Sequence, residues 1–382
     1  MIQYGKQDIN QYDIDSVVEV LKSDFLTQGP KVAEFEDAVA HTVDAQFAIA
    51  VNSATSALHI ACLALGVRNG DLVWTSPITF VASANCALYC GAEIDFVDVE
   101  PTTGNLCAQA FKVKLEHAKL LGRLPKVVIP VHLAGHSCDM QTISELAKQY
   151  QVKVIEDASH AIGGHFQGNK IGSCRFSDIT VFSFHPVKII TTAEGGMLTT
   201  QDSELAATLI LLRSHGITRE LSQLTCPDEG DWYYEQHVLG FNYRMTDLQA
   251  ALGVSQLTRL TEFVNTRNQL ATRYHQQLLG LSLDCIEPLE DTYSARHLFM
   301  VRLHEPRRRK AVFNVMRSQG IQVHVHYFPV HLQPYYQQLG FAETDFIEAE
   351  RFYQSILTLP LHQNLTAEQV TFICNTLRNA LL

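Results

Sequence analysis

KVVIPVHLAG (126–135), MQTISELAKQYQ (140–151), KVIEDASHAIGG (153–164) and DITVFSFHPVK (178–188) follow one another in the middle of the chain, and GGMLTT (195–200) closes the run. The first, third and fourth open on short, β-branched, apolar runs, whereas the second spaces its apolar residues as a helix does. Strand, helix and strand repeated in this way indicate an α/β fold, a mostly parallel sheet with helices on both faces. Near-continuous apolar runs such as KVVIPV and TVFSF fit strands buried on both sides.

Upstream the alternation continues. FAIAVNS (47–53) leads into SATSALHIACLALG (53–66), LVWTSPITF (72–80) into VASANCALYCG (81–91), and IDFVDVEPTTG (94–104) follows. Downstream, a long helical stretch ELAATLILLRSHG (204–216) gives way to a polar, turn-rich segment and then to a second helical region over 246–280. The remainder reads as a strand RHLFMVRL (296–303), a helix RRRKAVFNVMRSQG (307–320), a strand IQVHVHY (321–327) and a last helix from Ala367. We therefore expect a large domain over 1–255, including an N-terminal arm, and a smaller C-terminal α+β domain over 256–382, divided within a helical stretch rather than by a flexible linker.

Composition narrows the function classes. The 382 residues are 46% hydrophobic and 18% charged, a globular balance that argues against disorder. A net charge of −11 disfavours nucleic acid as a general partner but leaves room for a local anion site. No apolar run reaches membrane-spanning length, and the first residues lack the basic-then-apolar pattern of a secretory signal. Nine scattered cysteines without a C-x-x-C pair read as reduced thiols of a cytoplasmic protein.

In an open α/β sheet, ligands sit beyond the carboxyl ends of the strands. Ser53, Thr55, Thr79, His132, Asp157, Ser183 and Lys188 all fall there in this reading. Lys188 closes a run read as a buried strand, among Pro186, Val187, Ile189 and Ile190. A low dielectric lowers a lysine's pKa, and the neutral amine is the form that attacks a carbonyl. Asp157 closes the neighbouring strand. A lysine that can form a Schiff base, together with a carboxylate that keeps a pyridine nitrogen protonated, is the pair that pyridoxal 5′-phosphate requires. Taken singly, the lysine could equally snorkel to solvent and the aspartate cap a helix; the pair is more informative than either.

Asn52-Ser53-Ala54-Thr55-Ser56 stands between an apolar strand and an amphipathic helix, where free N–H groups and hydroxyls can cradle a phosphate. An ordinary N-cap uses the same residue types. Ser183 could donate to the same phosphate, and Phe80 could lie on a ring face or simply fill the core. His132 and His136, or His324 and His326, lack further ligands for a metal, so we expect no metal site.

The motifs FLTQGPKVAEFE, VNSATSAL, SPITFVASAN, EDASHAIGG, FSFHPVK, EGG, RSHG, GFNYRMTDLQAALG and IQVHVHYFPVH, in this order, resemble the DegT/DnrJ/StrS-type sugar-nucleotide aminotransferases almost from end to end. The resemblance implies the fold of type I pyridoxal phosphate-dependent transferases (aspartate aminotransferase-like) and a homodimer with active sites shared between subunits. It makes Lys188 the cofactor-bonding lysine and Asp157 the partner of the pyridinium nitrogen. Ser53, Ala54, Thr55 and Ser183 become phosphate contacts, Phe80 a ring-stacking side chain and His160 a neighbour of the ring. Asn242 matches an asparagine that reaches the phosphate of the other subunit's cofactor. Gln28, Arg213, Arg244 and His326 are candidates for the substrate, although either arginine could instead serve an ion pair.

TTAEGG (191–196) and the Val-His-Tyr stretch (325–327) resemble the subgroup that serves pseudaminic acid formation. That resemblance implies transfer of the amino group of L-glutamate to C4 of a UDP-linked 2-acetamido-2,6-dideoxy-hexos-4-ulose, with pyridoxamine 5′-phosphate as the intermediate form of the cofactor. Three alternatives stay open here: a different amino sugar, of perosamine or 3-amino type; a pyridoxamine phosphate-dependent dehydratase, which Lys188 disfavours; and a cofactor-binding regulator without catalysis.

Overall fold

A computed structural model describes residues 1–382. Seven strands form the main sheet: β1 (Phe47–Val51), β2 (Leu72–Thr75), β3 (Glu93–Phe96), β4 (Val127–Ile129), β5 (Lys153–Asp157), β6 (Ile179–Ser183) and β7 (Gly196–Thr200). Their spatial order is β1-β7-β6-β5-β4-β2-β3. Only β7 runs against its neighbours; the other pairings are parallel.

Alternate side chains of each strand serve different cores, which is the period-2 geometry of a sheet covered on both faces. Ile49, Val51, Val73, Val127, Ile129, Ile155, Ile179, Val181 and Leu198 join the largest apolar cluster, with the helices Ala54–Ala64, Ala82–Tyr89 and Ser203–Arg213. Their neighbours Trp74, Val128 and Val154 pack with the helices Ala108–Leu120 and Met140–Tyr150. Ala50, Phe182 and Met197 pack with Phe35, Val39 and Val43 of the helix Pro30–Val43. No helix is long and apolar enough to cross a membrane.

A second sheet, β8 (Leu283–Cys285), β9 (Phe299–Leu303) and β10 (Ile356–Leu359), is antiparallel and packs with the helices Leu260–Leu278, Arg309–Ser318 and Ala367–Leu381. Two expectations need correction here. IQVHVHY is not a strand: it makes single bridges, Ile2 with Ile321 and His324 with Thr358, then turns so that His326 and Tyr327 face a cavity. The third strand is instead ILTL (356–359), four buried residues directly after a helix and too short to signal itself. The helical region 246–280 is two helices, Asp247–Leu257 and Leu260–Leu278. Placing a domain boundary near residue 256 remains our proposal.

Arg267 joins the second unit's segments. It is fully buried, and its guanidinium donates to the carbonyls of Arg296, His297 and Leu361 and to the Gln363 side-chain amide oxygen. No carboxylate faces it, and burial pushes its pKa down to about 10. Arg267→Leu would leave three buried carbonyls without donors, so the unfolding free energy should fall by roughly 3 kcal/mol in a denaturant titration.

Candidate active site

The strand ends converge on a cavity of about 460 Å³. Because β7 runs opposite to β6, its first residue, Gly196, lies at the same sheet edge as Ser183, the last residue of β6. Lys188 does not end a strand, as the sequence had suggested. The strand stops at Ser183, and Lys188 sits in a turn closed by its own N–H donating to the His185 carbonyl at 2.9 Å. Pro186 lacks the N–H that a continued ladder needs. The turn aims the half-buried lysine into the cavity. Its amine has no hydrogen-bond or ion-pair partner in the chain, and burial pushes its pKa down to about 8, against the opposing pull of Asp157.

Asp157 ends β5 and is buried. Its Oδ2 accepts from Ser83 Oγ at 2.6 Å; its Oδ1 accepts from Ser159 Oγ at 2.6 Å and from the Ser159 N–H at 3.1 Å. Ser83 spends its one proton on the carboxylate, so Thr79 Oγ1, 2.8 Å away, is the donor to Ser83. Sequence reasoning missed Ser83 and Ser159. The Asp-x-Ser spacing signals the Ser159 turn, but nothing local signals Ser83, which comes from the helix Ala82–Tyr89.

His160 is held as one neutral tautomer. The Ala134 N–H donates to its Nδ1 at 3.3 Å, so the ring proton is on Nε2, which faces Tyr327 Oη at 3.3 Å. Burial pushes its pKa well below the ordinary value, and Lys188 and His326 push the same way. Tyr327 Oη therefore accepts a hydrogen bond from that N–H and keeps its own O–H free to donate. Phe80 lines the cavity with 59% of its surface exposed, an aromatic face with no protein covering it.

Ser53 caps the helix Ala54–Ala64, accepting from the Ser56 N–H at 3.1 Å. The N–H groups of Ala54 and Thr55 have no partner in the chain and open beside the Ser53 and Ser183 hydroxyls in the same cavity. A Cβ at Gly196 would lie 2.6 Å from the Ala54 nitrogen and from the Ser53 carbonyl carbon, so only glycine lets β7 pass this close beneath the helix start.

Of the other expected residues, His326 lines the cavity, whereas Gln28, Asn242, Arg213 and Arg244 do not. Gln28 and Asn242 are exposed. Arg213 takes the ion-pair alternative weighed for it: its guanidinium pairs with Glu36 and donates to the Ala50 carbonyl, bracing β1. Arg244 makes no ion pair in the chain. His132 is buried and bonded to Glu156 at 2.8 Å, away from the cavity. No group of three or more His, Cys, Asp or Glu side chains is placed to hold a metal ion. The lining contains one lysine, Lys188, and no arginine, beside the carboxylates Asp157 and Glu194.

An amine tuned in this way has a checkable titration. In cofactor-free protein, the rate at which trinitrobenzenesulfonate modifies Lys188 should rise through a midpoint near pH 8, not near 10.5. Because Asp157 raises that pKa, Asp157→Asn should move the midpoint lower still; peptide mapping assigns the label.

Comparison with known proteins agrees with this geometry. Residues 7–378 match the DegT/DnrJ/EryC1/StrS aminotransferase family. The UDP-4-amino-4,6-dideoxy-N-acetyl-β-L-altrosamine transaminase of Campylobacter jejuni is 36% identical over 381 residues, covering 99% of this chain and 96% of that protein. The GDP-perosamine synthase of Caulobacter vibrioides is 37% identical over 374 residues, with 96% and 95% covered. Among solved structures, Helicobacter pylori PseC, an aminotransferase of pseudaminic acid biosynthesis, superposes with a TM-score of 0.90 at 31% identity, covering 100% and 99% of the two chains. The pyridoxal phosphate form of the sugar aminotransferase Spr1654 from Streptococcus pneumoniae gives a TM-score of 0.90 at 28% identity, with 99% and 98% covered. With its sheet, its cavity lysine and a family match over nearly its whole length, this chain belongs to the DegT/DnrJ/EryC1/StrS aminotransferases.

Proposed function

We propose that the protein transfers the amino group of L-glutamate to C4 of a UDP-linked 2-acetamido-2,6-dideoxy-hexos-4-ulose. The products are UDP-4-amino-4,6-dideoxy-N-acetyl-β-L-altrosamine and 2-oxoglutarate, a step toward pseudaminic acid in the cytoplasm. The observation that carries the aminotransferase chemistry is Lys188, an enclosed, unpartnered amine with a pKa near 8, beside a carboxylate fixed by two serines. The particular sugar rests on the relatives, and the similarity to a GDP-perosamine synthase keeps a second sugar in play.

The residues fit pyridoxal phosphate. The unpaired N–H groups of Ala54 and Thr55, with Ser53 and Ser183, would take its phosphate, and the space left by Gly196 keeps that cradle open. Phe80 offers one flat apolar face and the neutral His160 lies close by. When bound, the group supplies an aldehyde that Lys188 can hold and a ring that accepts electrons when protonated.

Lys188 Nζ, uncharged in about a tenth of the population at pH 7 and in about half at pH 8, accepts a proton from Cα of the amino donor and later returns one to C4 of the sugar. Asp157 is fixed: hydrogen bonds to both of its oxygens prevent it from turning away. Tyr327 directs its free O–H toward the cavity.

A diphosphate sugar, a dicarboxylate donor and a phosphorylated cofactor bring more negative charge than Lys188 can offset. A second copy of the chain would supply the missing cations. Thr27 bridges to Thr246, Val51 to Arg244 and Ser214 to Asn242, so Gln28, Asn242 and the unpaired Arg244 share one strip of surface. Phe25, Leu26 and Leu239 are exposed along it, at 54%, 47% and 81%. Such an apolar strip suits a homodimer whose active sites both chains build.

Two experiments test the reading. With glutamate and a panel of UDP-, dTDP- and GDP-linked 3-keto and 4-keto sugars, the UDP-linked 4-keto acetamido sugar should turn over fastest, by at least about tenfold in kcat/KM. NMR of the product assigns the aminated carbon and its configuration. A preference for a GDP-linked sugar would shift the assignment to the perosamine reaction. Separately, mixing the inactive variants Lys188→Ala and Asn242→Ala should restore about a quarter of parental activity. Random exchange makes half the dimers mixed, and each mixed dimer has one intact site of two.

A further inference from the structure

Three cysteines meet between two of the helices that build the cavity. Cys62 belongs to the helix Ala54–Ala64, whose first residues line the cavity, and Cys86 to the helix Ala82–Tyr89, which carries Ser83. Cys90 follows as the C-terminal cap of the second helix. Cys62 Sγ donates to Cys86 Sγ at 3.7 Å, Cys86 Sγ donates to the Ser83 carbonyl at 3.3 Å, and Cys90 Sγ lies 3.3 Å from the Cys86 carbonyl. Cys62 and Cys86 are fully buried, whereas Cys90 is partly exposed.

Core packing alone accounts for the two buried thiols, because a free cysteine behaves as a small apolar residue. It does not account for the third. A hydrogen bond from Cys62 holds the Cys90 thiol below the ordinary range, against the effect of burial. Hydrogen bonds to Cys86 and Cys90, together with full burial, push Cys62 well above that range. The sulfur that solvent can reach is thus the one nearer to its thiolate form, the form that attacks an oxidant, and a protonated thiol waits behind it.

We propose that Cys90 and Cys62 form an oxidation site at which a peroxide closes a reversible disulfide, loosening the hold of Ser83 on Asp157. The Cys90 thiolate attacks one peroxide oxygen; the O–O bond breaks, an S–O bond forms, and the second oxygen leaves as water after taking up a proton. Cys90, oxidised by two electrons, is then a sulfenic acid. Cys62 sulfur attacks the Cys90 sulfur, and the hydroxyl leaves with the Cys62 proton as a second water. A disulfide holds its sulfurs about 2.05 Å apart, closer than thiols in contact, so closure draws the end of the helix Ala82–Tyr89 toward Cys62. Ser83 lies about two turns earlier on the same helix and moves with it, away from a carboxylate it now meets at 2.6 Å.

Hydrogen peroxide added to the cofactor-loaded protein tests this. After free thiols are blocked with iodoacetamide, peptide mapping should find Cys62 linked to Cys90. Reconstitution titrations should show pyridoxal phosphate held about tenfold more weakly by the oxidised protein, as expected when a hydrogen bond to the carboxylate is lost, and dithiothreitol should restore the affinity. Cys62→Ala should stop at the sulfenic acid, which dimedone traps on Cys90. Cys90→Ser, a change at a partly exposed position, should form no link and keep its affinity after peroxide. A link between any other pair of cysteines, no link at all, or a Cys62–Cys90 link that leaves the affinity unchanged would overturn the proposal. Failure of the pyridoxal phosphate reading would show beforehand, as untreated protein that takes up no cofactor.

Discussion

The site depends on keeping an amine and a carboxylate out of water without letting them neutralise each other completely. Burial lowers the Lys188 pKa; Asp157 draws it partly back, and the balance falls near 8. The carboxylate can do this because it is itself held: Ser83 binds one oxygen and Ser159 the other. An aspartate free to rotate could close a tight ion pair with the lysine and hold it protonated. The serines therefore set the orientation of the carboxylate.

The sheet makes this economical. Covering both faces with helices buries every strand and leaves the carboxyl edge as the place where polar groups can gather. Asp157, Ser183 and the helix start at Ser53 reach that edge as their strands end, and the antiparallel β7 returns to it at Gly196. Ser183 and Gly196 pair directly across the two strands. The cradle, the carboxylate and the lysine turn thus share one rigid edge, whereas the opposite wall comes from the second unit and the N-terminal arm.

Much of this was legible in the residues. The two-faced strands, the helix between 140 and 151, the cap at Ser53 and the pairing of Asp157 with Lys188 were all read from spacing and residue type, and the structure brings Ser53, Phe80, Asp157, His160, Ser183, Lys188 and His326 to one cavity. The errors share a cause. IQVHVHY has the alternation of a strand, yet it makes only two isolated bridges before His326 and Tyr327 turn to the cavity. Lys188 follows an apolar run, but Pro186 breaks the ladder before it. Of the two roles left open for Arg213, the ion pair is the one seen, with Glu36, a residue 177 positions away.

The sequence by itself determined which segments of the main sheet alternate with helices and which amine and carboxylate could meet, because those signals lie within a few residues of one another. Tertiary structure alone decided that Ser83, 74 positions from Asp157, orients its carboxylate, and that Tyr4 stands against His324 and His326. Such contacts are set by how whole layers pack, and the side chains that make them carry no local mark of their partners.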